Sequence, residues 1–166
     1  NQPALDLLHQ GFTADYCEVP CRSFYTQYPH FAKFRVLTWA ITADAYTRSC
    51  SGDWPGAMES CLDGLRLGAD VPHGGVVISM LVGIAIQNIA RPQAWEIVPH
   101  LSLEDAGVAA HRLETIMARR VPVADILLEE KWSMESGLVE LFQKPDWLTT
   151  LSKAWELDEK EKARLK

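Results

Sequence analysis

The segment GDWPGAMESCLDGLRLGAD, Gly52 to Asp70, decides the fold class. A turn at Ser51 to Trp54 leads into Pro55, which suits a first helical turn because its missing N–H would be unpaired there anyway. Met58, Leu62, Leu65 and Ala69 then recur at helical spacing as one apolar stripe. Beside them Ala57, Cys61, Gly64 and Gly68 form a second stripe made only of small residues. Small side chains let two helix axes approach closely, which places this seam against the preceding helix.

That preceding helix is predicted over His30 to Cys50. Phe31, Phe34, Ile41 and Ala45 mark one apolar side and Trp39, Ala43, Tyr46 and Cys50 another, so it is expected to pack on two sides. Further upstream, Pro3, Leu5, Leu7 and Leu8 open a short helix within residues 1–12 that stops near Gly11. Residues 13–29 show no period and hold Cys17, Cys21, Tyr16, Phe24, Tyr25 and Tyr28. A connection of that length is usually functional or pinned down.

Downstream, Val76 to Ala90 is apolar nearly all round and is expected to be the central helix. A short helix from Gln93 to Val98 should end at Pro99. Ser102, with Asp105 three residues on, resembles a capping box, and Leu103, Ala106, Ala110, Leu113 and Met117 follow at heptad spacing. Pro122 begins a long helix to about Gln143. After Pro145, Leu148, Leu151 and Trp155 lead into alternating charge, a solvated C-terminal helix over 146–166 that is expected to fray. Strand alternation with hairpin turns is missing. The chain therefore reads as all-α: one compact domain over 1–166 of six to seven helices, with its core in 30–143.

Length and composition bound the function. The 166 residues suit one domain, and 48% hydrophobic content suffices for a core. A net charge of −6 without a block of like charge argues against nucleic acid and anionic membrane surfaces as partners. The longest uncharged run, Val76 to Ala90, is shorter than the ~20 apolar residues a membrane span requires. The chain opens at Asn1 without a signal-like segment, which fits either a trimmed chain or a mature form whose leader is gone.

No catalytic or cofactor motif is present. His9, His30, His73, His100 and His111 show no metal-ligand spacing, and the expectation is no metal and no cofactor. VPHGG, Val71 to Gly75, precedes a helix where free N–H groups can hold an anion, but it lacks the Lys or hydroxyl of a phosphate loop, and a tight glycine-dependent helix entry is the stronger reading. Cys17 and Cys21, spaced C-x3-C, are candidates for a disulfide if the protein is exported and free thiols otherwise.

The main anomaly is Glu130. Val123, Leu127, Met134, Leu138 and Leu141 form a stripe in the long helix, and Glu130 falls near its centre. Arg35 likewise falls between the two stripes of its helix. A buried charge needs a partner or a cavity, so an ion pair of the two, or a polar pocket joined by Tyr25 and Tyr28, is expected, with Arg119 and Arg120 as alternative partners. Leu128, Trp132 and Val139, opposite Glu130, would be a second packing face or a contact for a protein partner or a second copy.

The opening segment also carries a resemblance. Gly52-Asp53-Trp54 followed by Ala57, Cys61, Leu65 and Leu67 resembles the second half of a tetratricopeptide hairpin, with Ala45 at the small position of its first helix. Asp44 and Arg48 fall where that pattern has apolar or aromatic residues, and a shift of about thirty-four residues takes Ala57 onto Arg91. The likeness covers one hairpin, about residues 41–67, and implies helix-on-helix geometry without a repeat array. The wider pattern of FAKFRVL, GDWPGAM, LRLGADVPHGG and EEKW is similar to uncharacterised helical proteins of environmental bacteria, often predicted to be exported. That resemblance implies the cell envelope and no assigned activity, and a cytoplasmic location stays open. Two functional readings follow: a non-enzymatic interaction or scaffold domain, or a small-ligand binder or enzyme with a pocket at Glu130 and Arg35.

Overall fold

A computed structural model describes residues 2–14 and 28–154. Among them every regular element is helical: α1 (Gln2–Gly11), α2 (Pro29–Cys50), α3 (Trp54–Asp70), α4 (Val77–Ile97), a 3-10 turn (Val98–His100), α5 (Leu103–Ala118), α6 (Val123–Phe142) and α7 (Trp147–Ala154). The protein is all-α. Cys17, Cys21 and Tyr25 lie outside the described residues, as does the charged stretch after Ala154.

Helix α3 is the centre. Its start is capped by Asp53, whose carboxylate accepts the Gly56 N–H at 3.0 Å, and Gly52 makes the preceding turn at φ +80°. Three strips then run along it. The small strip faces α2 and α4: Ala57 and Cys61 pack with Ala45 of α2. A Cβ on Gly64 would lie 2.8 Å from the Ala90 Cβ of α4 and 3.7 Å from Ile41 of α2, so the seam is a three-helix junction. At its far end the α3 and α4 backbones meet, because a Cβ on Gly83 would lie 2.4 Å from the Gly68 carbonyl. Met58, Leu62 and Ala69 build the main core with Ile97 and Ile116.

Helix α4, expected at the centre, is an outer layer on one side. Ile86, Gln87 and Ala90 are buried, while Ile78, Leu81 and Ile84 are 44%, 52% and 46% exposed. It also runs unbroken through Pro92, where a separate short helix was expected. The lost hydrogen bond falls on the Asn88 carbonyl, and Asn88 is exposed, so water can replace the missing partner. Helix α2 packs on one side only: Thr38, Ile41 and Ala45 are buried, whereas Trp39 and Tyr46 are 59% and 61% exposed. The buried Thr38 hydroxyl donates to the Phe34 carbonyl at 2.8 Å, which satisfies it within the helix.

Helix α5 starts as read. The Ser102 hydroxyl oxygen accepts the Asp105 N–H at 3.1 Å and the hydroxyl donates to the Asp105 carboxylate at 2.6 Å. The Trp54 ring stacks on His100 with centroids 4.0 Å apart, tying the α4–α5 corner to the start of α3. No described helix is long and apolar enough to cross a membrane.

Candidate functional site

The heptad strip of α5 does not enter the core. Ile116 is the buried residue of α5, with Ala109 packed partly against the core. Leu113 and Met117 remain 38% and 46% exposed. They form one wall of a groove of about 500 Å³ whose floor is the apolar strip of α3, Met58, Leu62 and Leu65. Trp95 of α4, 69% exposed, forms part of the opposite wall. Arg91 and Arg120 are the charged side chains of this lining, and no acidic one contributes to it. Arg120 is held in place by donating to Gln87 at 2.7 Å, and Gln87 donates in turn to the Leu65 carbonyl at 3.3 Å.

A polar cleft of about 550 Å³ lies on the third strip of α3. Glu59, Asp63, Arg66 and Asp70 recur there at intervals of four, three and four. Asp63 is buried at 7% exposure; His9 of α1 lies 2.8 Å from one of its carboxylate oxygens, and Arg112 of α5 donates to the other at 2.5 Å. Arg112 also pairs with Glu59. Arg66 donates to the Phe12 carbonyl at 2.7 Å, and its guanidinium stands 4.3 Å from the Phe12 ring centre. Asp70 accepts from Arg66 and Arg119, both at 3.4 Å. These links dock α1 and α5 on α3. The spacing of Glu59, Asp63, Arg66 and Asp70 marks this polar strip in the sequence, and the residues that pair with it lie on other helices.

The two departures from the tetratricopeptide pattern also acquire a role. Arg48 donates to Asp44 at 2.8 Å, and Ser60 of α3 donates to the same carboxylate at 2.6 Å, so Asp44 ties α2 to α3.

Glu130 and Arg35 do not meet. Arg35 is exposed on α2. The half-buried Glu130 carboxylate accepts the Val77 N–H at 2.8 Å, capping α4 from another helix. The helix entry after VPHGG therefore does hold an anion, and it is the chain's own. Gly74 supplies that entry with φ +62°. Neither Arg119 nor Arg120 pairs with Glu130. Tyr28 stacks on Phe31 at 4.8 Å and lines an apolar cavity of about 520 Å³ between α1 and α2. The pocket uniting Glu130, Arg35 and Tyr28 is thus not assembled. Most of the stripe expected to bury Glu130 faces outward: Val123, Leu127, Met134 and Leu138 are 56%, 55%, 63% and 42% exposed. Leu128, Trp132 and Val139 are also exposed, at 42%, 38% and 58%.

Among the described residues no cluster of His, Cys, Asp or Glu could hold a metal ion. Cys61, in the α3 seam, has its thiol pushed up to about 12 by burial, whereas Cys50 lies exposed. A thiol so raised is a poor nucleophile at neutral pH. Comparison with protein-family models, characterised proteins and solved structures finds no match to this chain.

Proposed function

We propose that this chain is a helical interaction module whose working surface is the α3–α4–α5 groove, and that its ligand is an amphipathic helix carrying acidic residues. The observation that supports this is the position of the α5 heptad strip. A strip of Ala106, Ala110, Leu113 and Met117 is built to pack on another helix, and here it borders an open groove. A helix laid there would bury Leu113, Met117 and Trp95, and its acidic flanks would meet Arg91 and Arg120. Trp and Arg are the residue types that most often carry binding energy at protein interfaces.

The test uses fluorescence anisotropy with a labelled synthetic helix that has a Leu/Met face and Glu flanks. The intact protein should bind it, and Leu113→Glu should weaken binding by about tenfold or more, because a carboxylate in an apolar contact must be desolvated. Leu113 is 38% exposed at the groove edge in the free protein, so the new carboxylate can turn to water and circular dichroism should show the fold retained. Equal binding to Leu113→Glu, or equal binding of a Lys-flanked helix, would overturn the reading.

A further inference from the structure

We propose that the cavity of about 520 Å³ between α1 and α2 binds a small neutral aromatic molecule carrying a hydrogen-bond donor, of the phenol class. The proposal is independent of the groove reading, because the two linings share no residue.

The observation that carries it is Ser79, in the first turn of α4. Ser79 is only 3% exposed, yet its hydroxyl has no hydrogen-bond partner among the described residues. Folded chains rarely leave a buried polar group unpaired. No fully sealed side-chain oxygen or nitrogen of those residues lacks a partner, so the Ser79 oxygen reaches open space, and the space it borders is this cavity. Gly75 keeps that space clear. A Cβ there would press on the Ser79 hydroxyl oxygen.

Asp70 supplies a second anchor on the same lining. Its carboxylate accepts from Arg66 and Arg119, both at 3.4 Å, and a carboxylate offers about four lone-pair sites, so it can take a further donor. A ligand O–H suits this pair of anchors: it donates to Asp70 and accepts from Ser79. A ligand carboxylate would instead meet a charge of its own sign.

The walls set the shape. Tyr28 stacks on Phe31 with centroids 4.8 Å apart, and His30 meets Phe31 and Phe34 edge-on at 4.6 and 5.5 Å, so α2 contributes a wall of rings. Leu8 and Phe12 of α1 complete the lining. A flat ring gains stacked and edge contacts from such a wall, and the volume lies in the range of small-molecule sites.

Methyl NMR of the full chain, titrated with p-cresol, toluene and p-toluate, tests the proposal. p-Cresol should bind at about millimolar strength or tighter. Its shifts should fall on the methyls of Leu8, Leu37, Leu67 and Val71 and spare Leu62 and Leu113 of the groove. Toluene, which lacks the donor, should bind about fivefold to tenfold more weakly, and p-toluate more weakly than p-cresol. Ser79→Ala should weaken p-cresol about fivefold, leave toluene unchanged and keep the thermal midpoint, because the deleted hydroxyl holds nothing in the chain. Equal affinity for p-cresol and toluene, p-toluate binding as tightly as p-cresol, p-cresol binding indifferent to Ser79→Ala, or shifts confined to the groove would each overturn it. Nuclear Overhauser contacts from those methyls to the chain's own Phe24 or Tyr25 in place of p-cresol would show the cavity already filled, and would overturn it too.

Discussion

Helices α4 and α6 are both strongly apolar, yet α4 is fused to the centre of the molecule and α6 touches it along one edge. The difference lies in glycine. On α4, Gly83 meets Gly68 of α3 with no room for a Cβ between them, and Ala90 closes on Gly64 in the same way. On α6, the edge that meets the body carries Ile126, Glu130 and Leu141, so bulky side chains flank its one glycine, Gly137. Apolar content therefore says that a face would gain by burial, and side-chain size says which backbone it can reach. The α3–α4 crossing is a sealed contact. The α5 and α6 strips remain open.

The sharpest way to break this contrast is Gly83→Ala. The new Cβ meets backbone carbonyl oxygen, so the helices must separate; the expected loss is about 3 kcal/mol or more, read by urea unfolding. Wild-type stability in that variant would mean that the crossing is looser than described.

Next in size is Arg112→Ala, which removes one of the two partners of the buried Asp63 carboxylate. Breaking a fully buried pair costs about 3 to 5 kcal/mol, and Arg112 is partly exposed, so about 2 kcal/mol is expected. The same variant should free α5 from α3 and raise hydrogen exchange in α5 ahead of α4. If α5 and α4 instead exchange together, α5 belongs to the sealed part of the molecule.

Cys61 tests the seal through pH. Its thiol ionises near 9 when unfolded and near 12 when folded, so the unfolded state loses its proton first as pH rises. The stability from keeping this thiol neutral is full below pH 9 and is lost progressively as pH approaches the folded value. Between pH 8 and 10.5 the intact chain should therefore lose about 1 to 2 kcal/mol more than Cys61→Ala does. Equal slopes would show that water reaches the seam.

Glu130→Ala removes a cap without stranding another charge, because the partner is the Val77 N–H. A loss of about 1 kcal/mol is expected. A cost several times larger would indicate an ion pair that the geometry lacks. The smallest effect has the opposite sign: Gly107→Ala on α5 meets nothing within 4 Å and should stabilise by about 0.5 to 1 kcal/mol. Comparing it with Gly83→Ala measures the sealed and open regions with the same single methyl group.

The candidate site was only partly legible. The strip Ala106, Ala110, Leu113 and Met117 was readable from its heptad spacing, and so was the apolar strip of α3 that became the groove floor. That the two would face each other across open space was not readable, because periodicity marks a face as apolar without naming its neighbour. Glu130 was readable as an anomaly and VPHGG as an anion-holding helix entry. Their union is a contact between residues 53 apart in sequence, and no local pattern links them. The Asp63 cluster joins α1, α3 and α5, so none of those segments alone reveals it.

The sequence by itself determined the helices and several of their ends: Ser102 as a cap, Pro55 in a first turn, Pro122 before α6, and periods near 3.6 from residue 30 to 142. These are local quantities, set by backbone hydrogen bonding and side-chain spacing within a few residues. Only the tertiary structure decided which apolar faces are inside. Burial belongs to pairs of faces, and the pairs were chosen where glycines let α3 and α4 backbones touch. Once that crossing formed, α3 became the centre, α4 an outer layer, and the strips of α5 and α6 were left facing outward.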